Sequence, residues 1–243
     1  IAGDEIALNF EAPPQVRSGI NMTRTALLAT AYYIVKSVVD PTVLPNAGLA
    51  RPITVRAPQG SLLSCSHPAA VNGRVQTCQR VADLILGALA QATPQKVSAC
   101  TNSGCSVATF SGTRTSGPEA GHYWVYLETI GGGGGARPEA DGLDGIHVHA
   151  TNTSNLPVEA LEVEYPLILE RYELVDGSGG AGAFRGGMGL RRVYRATEDC
   201  MVRVDITRIL STSWGLLGGA PGAGGSFAVS PSAAPFERGV GSL

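Results

Sequence analysis

Charge is scarce in this 243-residue chain. Asp, Glu, Lys and Arg make up 16% of it, against about 25% in an average domain, and lysine supplies only 2 of the 18 basic residues. With a formal net charge of −2 the chain has no basic field to attract phosphates, so nucleic acid is not an expected partner. Long apolar runs are missing as well. None approaches the ~18 residues needed to cross a bilayer, and the first residues lack the basic start and apolar stretch of a secretory signal. The expectation is a cytoplasmic protein with no membrane partner. Cysteine is sparse and odd in number, at 65, 78, 100, 105 and 200. The one close pair, Cys100 and Cys105, is separated by Thr-Asn-Ser-Gly, which is neither a CxxC redox motif nor zinc-finger spacing, so reduced, incidental thiols are expected.

Glycine is what the chain has in excess, with 32 residues, roughly twice the usual share. Much of the backbone must therefore turn or approach a neighbour closely. Hydrophobic residues still reach 44%, enough for a packed core. Ile6 to Phe10 is expected to be a short strand before a Pro-Pro turn. From Asn21 to Val39, Leu27, Ala31, Ile34 and Val38 recur at helical spacing until Asp40-Pro41 stops the run. Pro52 to Ala57 alternates like a strand. Asn72 or Gly73 to Ala92 carries an apolar stripe of Val75, Cys78, Val81, Ala82, Ile85 and Leu89, with Arg74, Gln79 and Asp83 off it. The Ser/Thr/Gly-rich stretch 97–118 suggests a loop or a pair of short strands. Beyond it His122 to Thr129, His147-Val-His149, Val158 to Leu169, Glu170 to Val175, Leu190 to Arg195 and Met201 to Ile206 look extended, and no helical period follows residue 92. The fold class is α+β: two core helices in residues 1–95, then a β-rich segment 96–243 with Gly-rich loops, together one continuous partial domain of a larger subunit.

Glu128-Thr-Ile-Gly-Gly-Gly-Gly-Gly-Ala-Arg137 and Gly177-Ser-Gly-Gly-Ala-Gly182 both invite a nucleotide-binding reading. Context refuses it, because neither is followed by a helix or a Gly-Lys-Ser/Thr, and Pro138 interrupts the first. A close turn or a substrate-facing loop remains for each, with Gly133, Gly134 and Arg137 as candidate substrate contacts. His147 and His149 would share a strand face, where they could hold a metal or pass a proton; the alternative is a pair bonded to neighbouring loops. Asp144 upstream and Asn152 downstream make the polar cluster denser than a strand requires. His147, His149, Asp144 and Asn152 are therefore the candidate catalytic residues. His67 and His122 are expected to be structural. Glu159, Glu162 and Glu164 suit a solvated strand face better than acid/base work. No Gly-x-Ser-x-Gly elbow supports a nucleophile.

The order of these segments carries a resemblance. The string from Glu128 through Asp-Gly-Leu-Asp-Gly-Ile-His-Val-His-Ala-Thr-Asn-Thr153, Pro157-Val-Glu-Ala-Leu-Glu162 and Gly179-Gly-Ala-Gly-Ala-Phe-Arg-Gly-Gly-Met-Gly-Leu190 resembles the hydantoinase B/oxoprolinase family. Ser18-Gly-Ile-Asn21, Asn46-Ala-Gly48, Arg51 to Leu63, Thr77 to Asp83 and Trp214-Gly-Leu-Leu-Gly-Gly-Ala-Pro-Gly222 fit it in the same order. The resemblance implies part of a B-type subunit of an ATP-dependent hydrolase of small cyclic amides, such as hydantoins or 5-oxoproline. Its partner would be an A-type subunit that handles ATP with Mg. A ketone carboxylase of the same lineage and a non-catalytic assembly segment are the alternatives. Members of this type are about twice as long, and their Asp- and His-rich divalent-metal segments lie in an amino-terminal half that this sequence does not contain. No metal ligand therefore carries over to a residue here. The chain opens at Ile1 without methionine, and Ser230 to Arg238 replaces the usual Gly-rich tail. The expectation is a fragment, split subunit or paralogue that is inactive alone.

Overall fold

The computed structural model describes residues 1–229; the Ser230 to Arg238 tail lies outside them. The first half is built on side-chain packing. Helix α1 (Arg24–Val39) starts where the Thr23 hydroxyl accepts from the Ala26 N–H, and it stops at Asp40. Helix α3 (Arg74–Ala90) follows Gly73, and a one-turn helix α2 (Ala47–Ala50), which has no period to betray it, lies between. Leu27, Ala31, Ile34 and Val38 of α1 meet Val81, Ala82, Ile85 and Leu89 of α3 in one cluster that also takes Ile53 and Val55. Each such aliphatic side chain contributes about 1.5–3 kcal/mol on burial. Strands β1 (Ile6–Asn9) and β2 (Ile53–Arg56) pair in parallel from Ile6↔Ile53 to Asn9↔Arg56 against the helices.

The second half is mostly sheet. Strands β3 (Ser106–Thr113), β4 (Tyr123–Ile130) and β7 (Met201–Asp205) form an antiparallel sheet in the order β4-β3-β7, and β5 (Leu167–Leu174) pairs with β6 (Leu190–Ala196). Phe110, Trp124, Tyr126, Leu161 and Leu167 make their common core. Helices thus fall mostly in the first half and strands in the second.

Two local expectations are corrected. Val158 to Leu169 is not one extended run: residues Val158–Glu164 form a helix, α4, and β5 begins only at Leu167. Pro157 supplies a preset φ of −52° at the start, Glu159 lies in the first turn, and Leu161 is the one fully buried anchor, so seven residues were too few to show a period. His147-Val-His149 is not a strand. Ile146 bridges to Gly132, the Val148 carbonyl accepts from the Thr151 N–H in a turn, and His149 has φ +48°. The two histidines therefore diverge on either side of buried Val148. The 97–118 stretch supplies one eight-residue strand, β3.

Candidate active site

The polar face of α3 turns inward. Gln79 and Asp83, one helical turn apart, are 0% and 2% exposed, so the face off the apolar stripe is core rather than solvent-facing. Gln79 Nε2 donates to the Val148 carbonyl at 2.9 Å and to Thr151 Oγ1 at 2.5 Å, which fastens the 146–151 turn to the helix. That places His149 Nε2 3.1 Å from Asp83 Oδ1, with Thr101 Oγ1 3.3 Å away. The remaining valences of Asp83 are filled from the 100–103 loop. Thr101 donates its N–H at 3.2 Å and its hydroxyl at 2.8 Å, and the Ser103 hydroxyl donates to Oδ2.

Burial alone would raise the Asp83 pKa. Hydrogen bonds and charge from His149, with those of Ser103 and Thr101, outweigh it and hold the carboxyl below its usual range. A carboxylate acceptor requires the imidazole proton on Nε2, so Nδ1 is the nitrogen left with a lone pair when the ring is neutral. The Tyr33 ring stands edge-on at 6.4 Å from the imidazole, and burial together with the charge of Asp83 raises its phenol pKa. Arg208 closes the far side: Nη2 donates to Cys100 Sγ at 2.7 Å and to Ser103 Oγ, and Nε to the Asn102 carbonyl at 3.2 Å. Burial, then the charge of Asp83, pushes the Cys100 thiol up despite that guanidinium, so Cys100 is no poised nucleophile.

The other candidates from the sequence do not join this cluster. His147 lies near Glu128 instead, and desolvation lowers its pKa although the Glu128 charge opposes the shift. Asp144 is held by Arg185 at 2.7 and 3.0 Å and by the Met188 N–H at 2.7 Å, contacts that pin one loop to another. Asn152 is exposed, and it is Asn155 whose Nδ2 reaches Glu128 at 2.8 Å. Arg137 is exposed beside the Asp141 carbonyl. Gly133 and Gly134 pack backbone against backbone: a Cβ at 133 would fall 2.0 Å from the Gly187 carbonyl oxygen, and Gly134 bonds to both Leu143 and Gly187.

Sequence reasoning missed Asp83, Thr101, Ser103 and Arg208. The available signal was two polar residues, Gln79 and Asp83, at one-turn spacing on a helix otherwise rich in apolar positions. A shallow cleft of about 400 Å³ between Gln15–Arg17 and Pro68–Ala70, and a narrower one of about 150 Å³ beside Val35 and Ile53, reach none of these residues. Among the described residues no group of three or more His, Cys, Asp or Glu side chains is placed to hold a metal ion, so these residues do not fit a divalent metal. No described helix is long and apolar enough to cross a membrane.

The model of the family described as hydantoinase B/oxoprolinase matches residues 1–240. The chain belongs to that family. A Pseudomonas sp. (strain NS671) protein named for the B-type subunit of a D-/L-hydantoinase is 34% identical over 230 residues, covering 92% of this chain and 38% of its own. The ATP-dependent caprolactamase of Pseudomonas jessenii superposes with a TM-score of 0.68 at 28% identity, over 86% of this chain and 36% of that one. An acetone carboxylase in its nucleotide-free structure gives 0.74 at 18% identity, over 90% and 30%, and shows the shared fold alone. This family member thus spans little more than a third of the length of curated relatives such as the Pseudomonas protein.

Proposed function

We propose that the chain is part of a B-type subunit of an ATP-dependent cyclic-amide hydrolase, working in the cytoplasm with an A-type subunit that handles ATP and Mg. It would be one continuous part of a larger subunit, inactive by itself, with any divalent metal held by residues outside it. Family membership over residues 1–240 carries this reading, and the named hydantoinase and caprolactamase relatives support the substrate class.

Within the site, Asp83 orients the His149 ring through Nε2, and Nδ1 is the atom that would take a proton from attacking water or return one to the departing nitrogen. Phosphorylation of the amide oxygen by the partner would activate the amide carbon: water would add there, the ring nitrogen would depart protonated to leave an acyl phosphate, and a second water would release carboxylate and phosphate, with limited access of bulk water protecting these intermediates. The His149 side chain is 7% exposed, which is in keeping with limited access of bulk water. His147, Asp144, Asn152, Gly133, Gly134 and Arg137 would frame the approach.

The test combines the chain with the remaining part of a B-type subunit and an A-type subunit, then measures ATP hydrolysis dependent on 5-oxoproline, a hydantoin or caprolactam. Cyclic-amide-dependent turnover that falls about 10²–10⁴-fold in His149→Ala is expected. Unchanged turnover in that variant removes the site assignment, and ketone-dependent bicarbonate fixation in place of amide cleavage moves the chain to the carboxylase branch.

A further inference from the structure

The sheet β4-β3-β7 has one face that no other described residues cover. An antiparallel sheet packed on one side is expected to alternate apolar inward and polar outward. Its inner face obeys, with Ala108, Phe110, Trp124 and Tyr126 buried. Its outer face does not. Tyr123, Val125 and Leu127 on β4 are 69%, 49% and 60% exposed, and Met201 on β7 is 73% exposed. Register makes these one patch, because Ser111 lies opposite both Val125 and Met201, and Thr109 opposite both Leu127 and Arg203. The charges of this face, Arg203 and Asp205, pair with one another at 3.3 Å and leave nothing for a charged partner to match. Among the described strands β4 and β7 each pair only with β3, so neither outer edge is paired with a further strand, and on β4 Asn155 Nδ2 donates to the Thr129 carbonyl near the strand's end. A contiguous exposed apolar patch marks a surface that is covered in the working form, and a long open edge strand invites pairing.

We infer that the remainder of a B-type chain packs on this face and its β4 edge. The inference rests on the proposed function. In the Pseudomonas relative and in the caprolactamase, the part matched by this chain is 38% and 36% of the polypeptide, so well over half of each chain lies outside the match and needs a surface to fold against. The chemistry favours that occupant over the A-type subunit. A flat face of Tyr, Val, Leu and Met with its charges already paired is that of a core cut in half, as in permanent contacts, whereas separable partners meet across more polar surfaces.

Met201 gives the readout, since methionine oxidation follows exposure, and fully buried Met22 is an internal reference. The chain is labelled with hydrogen peroxide alone and after co-expression with the segment of the Pseudomonas relative that lies outside the match. The expected result is a stable complex in which Met201 oxidises about tenfold more slowly than in the chain alone. Val125→Lys with Leu127→Lys should abolish co-purification without moving the thermal midpoint, because both side chains project from the surface. Val125→Thr with Leu127→Thr, which keeps β propensity, should weaken it. Failure to form the complex overturns the inference, as does equal Met201 reactivity within it. So does protection in the isolated chain through self-association, or protection only by an A-type subunit. None of these readouts uses ATP or amide. Loss of docking with cyclic-amide turnover intact sinks this inference alone, and docking without such turnover sinks the proposed function alone.

Discussion

Asp83 and Glu128 are buried to nearly the same extent, 2% and 4% exposed, but their partners differ in kind. Glu128 sits within a regular strand and meets Arg192 at 2.8 Å, the Tyr194 hydroxyl and Asn155, so β4 is clamped to β6. Arg192 lies 4.2 Å above the Tyr172 ring, and its Nε and Nη2 have no acceptor among the described residues. Asp83 is surrounded by irregular chain. Ser103, His149 and Arg208, with φ of +48°, +48° and +63°, are three of the four non-glycine residues in the left-handed region among those described. Such conformations cost about 1–3 kcal/mol each and persist where the surroundings over-determine them, which is characteristic of functional sites. A permanent ion pair between regular strands serves as a clamp; a carboxylate that gathers strained loops around one imidazole is the arrangement proposed as the site.

The largest effect should come from Asp83→Ala. It leaves the imidazole, two hydroxyls and the Thr101 N–H without their acceptor, and a loss of about 3–5 kcal/mol in urea unfolding is expected. Glu128→Ala should cost a similar amount for the same reason. The comparison separates at the double variants. Glu128→Met with Arg192→Met replaces a clamp by apolar contact and should return to within about 1 kcal/mol of the parent. Asp83→Leu with His149→Leu should not recover, because the Thr101 N–H and hydroxyl and the Ser103 hydroxyl still lose their carboxylate acceptor. Recovery of both pairs would erase the distinction. Next in size is Gly135→Ala, whose Cβ would lie 1.8 Å from the Ala99 carbonyl oxygen; about 2–3 kcal/mol is expected from the forced separation of two backbones, again read as the urea midpoint.

The frame of the molecule was legible because its signals are local. Leu27, Ala31, Ile34 and Val38 recur at helical spacing, the 72–92 stretch carries an apolar stripe, and His122 to Thr129 is β-branched and aromatic, so α1, α3 and β4 emerged within a few residues of their ends. Helix α4 did not, since a seven-residue helix with one buried anchor has no period to detect. The site was half legible. His149 was named, but the spacing that singled it out also tied it to His147, and the turn at Val148 sends the two to different carboxylates. Asp83, Thr101 and Arg208 meet only when α3, the 100–103 loop and the segment after β7 converge, and no window of sequence contains that convergence. The glycine surplus was visible from composition, yet its use in packing backbone on backbone depends on contacts such as Gly133 with Gly187, far apart in the chain.

The smallest expected effect is on acid stability, and it divides the two clusters by pH. Burial lowers the His147 pKa, so the unfolded chain binds its proton more readily. The stability His147 contributes is therefore complete above the unfolded value of about 6.5 and is lost as pH falls from there through the lower folded value. Asp83 is also held below its usual range, so its contribution is present above about 4 and is lost only as pH falls further, through its own folded pKa. The urea midpoint should decline in two stages on acidification. His147→Gln should remove the upper stage and leave the lower, and Asp83→Asn the reverse. A single stage abolished by either substitution would mean that His147 and Asp83 titrate as one coupled unit across the Val148 turn, and the division between a clamp and a site would have to be abandoned.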